Sequence, residues 1–134
     1  MGTVVVGFVP KPEGEAALDR AIEEAKLRGA KVVVVNSHRG GGDFGEGDSS
    51  RADKDMDAVK AKLDAAGVEH ELRKLVRGFE PAEDLIAIAE DCDAELIVIG
   101  LRRRSPVGKL ILGSNAQRIL LDAKCPVLAV KADA

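Results

Sequence analysis

Three observations predict a single α/β domain wound as a parallel sheet with helices on both faces. Three short apolar, β-branched runs, Thr3–Phe8, Lys31–Asn36 and Glu95–Gly100, read as strands buried on both sides. Stretches with helical apolar spacing alternate with strand-like runs along the whole chain, as βαβ crossovers require. The length of 134 residues suits one core, and no linker or internal repeat divides residues 1–134. Five strands and four helices follow.

The elements are justified in chain order. Thr3–Phe8 is stopped by Pro10 and Pro12. From Glu13 to Arg28, Ala17, Leu18, Ala21, Ile22 and Ala25 form one helical stripe, and Gly29 ends it. Lys31–Asn36 carries four consecutive valines. His38–Ser50, rich in Gly, Ser and Asp, is predicted as the loose stretch. Met56, Val59, Leu63 and Ala66 mark a second helix that Gly67 terminates. Val68–Val76 alternates apolar with charged residues, as an edge strand would. A helix begun near Pro81 turns Ala82, Leu85, Ile86 and Ala89 inward. After Glu95–Gly100 and a long loop, a helix from Ser114 turns Ala116, Ile119, Leu120 and Ala123 inward, and Pro126–Lys131 is the last strand.

Composition excludes several classes of function. The chain is 46% apolar and 32% charged, which fits a folded domain with a soluble surface. A net charge of −3 gives no general attraction to nucleic acid or acidic membrane, and three Phe without Trp or Tyr make no base-stacking platform. No apolar run approaches the about 18 residues of a membrane span, and no signal sequence opens the chain, so the cytoplasm is the expected compartment. Cys92 and Cys125 lack paired spacing and read as buried reduced thiols; His38 and His70 lack metal-ligand spacing.

In an open α/β sheet a ligand binds beyond the strand carboxyl ends, where the strand order reverses. That directs attention to Val9–Pro12 and to Gly100–Gly113. Gly113 allows close backbone approach, Ser114 is a good helix N-cap, and the free N–H groups there suit a phosphate. Arg102, Arg103, Arg104 and Lys109 add positive charge. The alternative is that Gly113 and Ser114 only start a helix and the arginines are solvated. Two motifs fail. Gly40, Gly42 and Gly45 match GxGxxG, but no apolar helix opens directly after them, and Glu46–Ser50 reads as flexible and acidic. Gly108-Lys109 lacks the Ser or Thr of a P-loop, since Leu110 follows.

The segment from Gly100 through Arg103 to Gly113-Ser114 resembles the G-x2-G-x9-G-[S/T] nucleotide signature of universal stress proteins. Gly78-x-x-Pro81, Asn115–Leu121 and Cys125–Val130 resemble the rest of that family, so the resemblance covers essentially the whole chain. It implies a five-stranded sheet of order 3-2-1-4-5 and ATP or AMP as a possible ligand, with no cofactor required. By position, Gly100, Gly113 and Ser114 match the motif, while Ile99, Arg102, Asn115 and Ala116 flank it where family members contact nucleotide. There are two departures. Arg103 stands at the second glycine position, and Val9 stands where an acidic residue typically accepts a hydrogen bond from adenine.

Two functions remain open: a stress-response module with a regulatory adenine nucleotide, or a non-nucleotide, dimeric interaction protein with a vestigial crevice. An enzyme is disfavoured, because no acidic cluster stands ready for Mg²⁺ and no nucleophile–base pair is recognisable. The last strand, Val127, Leu128, Ala129 and Val130, is apolar on both faces and predicts a homodimer edge.

Overall fold

The computed structural model describes residues 2–8, 12–39, 46–78, 81–101 and 114–131. Strands and helices alternate through them: β1 (Thr3–Phe8), α1 (Pro12–Arg28), β2 (Lys31–Arg39), α2 (Glu46–Ala66), β3 (His70–Gly78), α3 (Pro81–Asp91), β4 (Leu96–Leu101), α4 (Ser114–Asp122) and β5 (Val127–Lys131). All pairings are parallel, in the order β3-β2-β1-β4-β5. The doubly wound sheet and its implied order are therefore observed.

Period-two alternation sends the strand side chains into two cores. Val4, Val6, Phe8, Val32, Val34, Leu96 and Val98 pack with α1 and α2 on one face. Val5, Val33, Val35, Ile97 and Ile99 pack with α3 and α4 on the other. Both faces being dry, β1, β2 and β4 read as continuous apolar runs. Ile88, which the helical pattern left unassigned, joins the second core.

Three helices stop by the same device. Gly29, Gly67 and Asp93 follow α1, α2 and α3 with φ of 63°, 72° and 54°. The next N–H then turns back to a carbonyl five residues earlier: Ala30 to Ala25 at 2.9 Å, Val68 to Leu63 at 3.3 Å, and Ala94 to Ala89 at 2.9 Å. These bonds satisfy carbonyls that a helix end leaves free.

Four expectations shift. Pairing with β3 extends β2 to Arg39, with a register irregularity between Ser37 and Arg39. Helix α2 begins at Glu46, inside the stretch expected to be loose, and its first core residue is Met56. A polar start carries no apolar stripe to announce it, although Glu46 and Asp48 suit the positive end of a helix. Val68 belongs to the α2 cap, so β3 starts at His70. Leu120 is 39% exposed instead of inward, because it lies about 100° round the helix from the buried Ile119. Among the described residues no helix is long and apolar enough to cross a membrane.

Candidate functional site

The strand order reverses between β1 and β4. Helices α1 and α2 cover one face of the sheet and α3 and α4 the other, so the chain leaves β1 and β4 toward opposite faces. Their register runs Val4 to Leu96, Val5 to Ile97 and Val6 to Val98, which brings their carboxyl ends side by side. In folds of this kind ligands bind in a crevice where the strand order reverses in this way.

Two glycines line the ends of these strands. Gly7 faces α3, where a Cβ would meet Leu85 Cδ2 at 3.2 Å. Gly100 faces α1, where a Cβ would lie 2.6 Å from the carbonyl carbon of Glu13 and closer still to its oxygen. The first turn of α1 thus rests directly on the backbone of β4.

Helix α4 starts at Ser114 and carries no acidic residue in its first turn. In contrast, α1 opens with Glu13 and Glu15, and α3 with Glu83 and Asp84. Acidic groups at those two starts offset the helix dipole, and the first turn of α4 carries no such group. Arg118 pairs with Glu83 on α3 and lies 3.5 Å from Asp122, tying α4 to its neighbour. Its charge is thereby committed below the helix start.

Asn36 is the polar residue that the sequence reading passed over. It stands opposite Phe8 on β2, is 2% exposed, and its Nδ2 has no hydrogen-bond partner among the described residues. An unsatisfied buried amide costs about 1–3 kcal/mol, so its place at the carboxyl end of the sheet is a signal. In the sequence it is the last residue of the Lys31–Asn36 run read as a buried strand, and no site is assigned to it. What the structure adds is the amide nitrogen without a partner among the described residues.

The expected site residues divide into three groups. Val9, Arg102, Arg103 and Gly113 lie outside the described residues. Gly100 ends up at the crevice, and Ser114 and Asn115 are the first two residues of α4. Ile99 is buried in the α3–α4 core and paired to Ala129 of β5, and Ala116 is partly buried in the same core. The glycines of the GxGxxG match also lie outside the described residues, but a helix does open after Gly45. Its start is polar and acidic, a poor seat for a pyrophosphate.

A separate open groove of 460 Å³ lies between α3 and the turn into β5, lined by Ile86, Ala89, Ile97, Ala123 and Cys125. Ile97 is the second residue of β4, so the groove sits at the amino end of the sheet, away from the crevice. Burial pushes the Cys125 thiol up, which disfavours the thiolate. Cys92 and Cys125 are both free and partly buried. His70 heads the edge strand β3, with Nδ1 donating to the Val68 carbonyl at 2.9 Å. Among the described residues no three His, Cys, Asp or Glu side chains gather to hold a metal.

A doubly wound parallel sheet of order 3-2-1-4-5 with its switch point between β1 and β4 defines a class of small α/β domains. Within that class the chain belongs to the universal stress protein family, whose family model matches residues 1–131. It is 44% identical over 128 residues to a universal stress protein of Mycolicibacterium smegmatis, covering 96% of each chain. Among solved structures, a universal stress protein from Archaeoglobus fulgidus superposes with a TM-score of 0.85 at 41% identity, covering 98% of this chain and 99% of that one. Another from the same organism, in complex with dAMP, gives a TM-score of 0.78 at 35% identity over 98% of both chains.

Proposed function

We propose that this chain is a cytoplasmic stress-response module that takes an adenine nucleotide, ATP or AMP, as a regulatory ligand in the switch-point crevice and does no chemistry on it. The observation that carries the reading is the start of α4, which alone among α1, α3 and α4 has no acid in its first turn. The dAMP complex of a relative with the same fold supports the choice of ligand. In this reading the main-chain N–H groups of Gly113, Ser114, Asn115 and Ala116 hold phosphate, and Arg102 and Arg103 supply charge. The base lies toward Val9 after β1 and toward the end of β2. Asn36 Nδ2, at the carboxyl end of the sheet, is a buried donor without a partner among the described residues.

Val9 and Arg103 favour the second reading, a non-nucleotide interaction protein with a vestigial crevice. Mass spectrometry of small molecules released by denaturing the purified protein separates the two. A co-purifying adenine nucleotide supports the first; its absence, together with no rise in Tm on adding ATP or AMP, supports the second.

Homodimerisation through β5 belongs to the same proposal. Val127 to Val130 are apolar and only partly buried, and β4 pairs one side of the strand. The other side is a sheet edge, and Leu120 on α4 adds exposed apolar surface. Such an edge is aggregation-prone unless covered, and a two-fold partner would pair with it antiparallel. Leu128 and Ala129 send their N–H groups to opposite sides, so proline at one of them should yield folded monomers by light scattering. A wild-type protein already monomeric at micromolar concentration would end this part of the reading.

A further inference from the structure

A signature glycine on a strand end invites the assumption that it makes room for the ligand. Here the space is taken by a helix. A Cβ on Gly100 would lie 2.6 Å from the carbonyl carbon of Glu13 and 3.0 Å from its Cβ. Gly14, the next residue of α1, is buried and has no side chain either. The first turn of α1 is therefore stripped of bulk on both sides of its contact with β4.

We infer that Gly100 is a positioning residue: it seats the first turn of α1 on β4 and through that helix sets the base end of the crevice. The inference rests on the nucleotide reading above for its ligand consequence, but not for the helix seat itself.

The direction of the effect follows from what can yield. Strand β4 is clamped in the sheet, with Val98 paired to Val6 of β1, and Gly100 and Leu101 paired to Val130 and Lys131 of β5. The start of α1 has no such ladder. A side chain at Gly100 therefore displaces α1, on the order of 1 Å, the gap between 2.6 Å and an ordinary carbon contact of about 3.5 Å. Only residues 9–11 join Phe8 to Pro12, so the displacement is passed to the segment that contains Val9. The phosphate end, built on α4 at the other face, stays in place.

The test uses Gly100→Ala with two ligands, AMP and inorganic tripolyphosphate. A misplacement of this size should weaken AMP by roughly tenfold to a hundredfold, while tripolyphosphate changes by less than about twofold. Amide hydrogen exchange at Gly14–Ala17 should rise in the same variant. Equal loss of both ligands, or unchanged exchange in the first turn of α1, would overturn the inference and make Gly100 a direct phosphate contact. Should the variant not fold, exchange in the wild-type protein decides: AMP should protect the first turn of α1 and tripolyphosphate should not, and equal protection by both would overturn it. A wild-type protein that binds neither ligand removes the nucleotide reading, and exchange in Gly100→Ala still decides whether the helix seat exists.

Discussion

At the amino ends of the strands, α1, α2 and α3 arrive through left-handed caps, and the first strand residues are immediately paired. Lys31 N–H donates to Gly2 at 3.2 Å, Glu95 N–H to Thr3 at 2.9 Å, and Ile97 N–H to Pro126 at 3.0 Å. Arg28 bridges Glu24 and Glu95 over this end, at 3.3 and 3.0 Å, and the two carboxylates hold its guanidinium above the ordinary arginine range. At the carboxyl ends the described residues are of another kind. They include a buried amide without a partner, two glycines against neighbouring helices, and a helix start without an acid. Changes at the first end should thus cost stability alone, whereas changes at the second should register in ligand affinity.

The largest expected effect is at the carboxyl end. Val9→Asp supplies an acceptor for adenine, and the hydrogen bond gained, about 1.5–3 kcal/mol to a charged group, should tighten ATP roughly tenfold to more than a hundredfold relative to tripolyphosphate. Equal responses of the two ligands in calorimetry would show that Val9 does not face the base. The amino end supplies the counterpart. Gly67→Ala places a Cβ where φ is 72° and no atom lies within 4 Å, so its cost is backbone strain alone. Stability should fall by about 1–2 kcal/mol in urea titration, with ligand affinity unchanged. A shift in affinity there would dissolve the distinction between the two ends.

Smaller effects sharpen it. Asn36→Val removes the orphaned donor, so the free protein should gain about 1 kcal/mol while the rise in Tm on adding AMP shrinks. A variant whose ligand-induced rise equals that of wild type would place Asn36 outside the site. Asp93 holds φ of 54°, a conformation glycine adopts without strain. Asp93→Gly should therefore stabilise by a few tenths of a kcal/mol or leave stability unchanged, again with affinity unaltered.

Much of this contrast could be read from the sequence, and unevenly. Gly29 and Gly67 announce their caps because a helical stripe stops at each, whereas Asp93 gives no such sign; its φ is visible only in the structure. The buried strands were legible because both faces are dry. Leu120 was misread because apolar spacing marks a stripe without fixing its width. The start of α2 escapes the apolar pattern because residues 46–55 hold a single apolar residue, Ala52, too few to mark a stripe. At the carboxyl end the motif located the β4–α4 segment, yet the atoms around Gly100 depend on where α1 comes to rest. No local pattern records that contact between residues 13 and 100, nor that the Asn36 amide nitrogen has no partner among the described residues.

The central claim is that an adenine nucleotide binds at the carboxyl end of the sheet with its phosphates at the start of α4. Its most direct test is titration calorimetry of AMP and ATP into wild-type protein and a Gly113→Trp variant, with circular dichroism to verify the fold. Wild type should bind and the folded variant should not, because the indole blocks backbone approach to the phosphate. Equal affinity in the two proteins, or no binding by wild type, would contradict it.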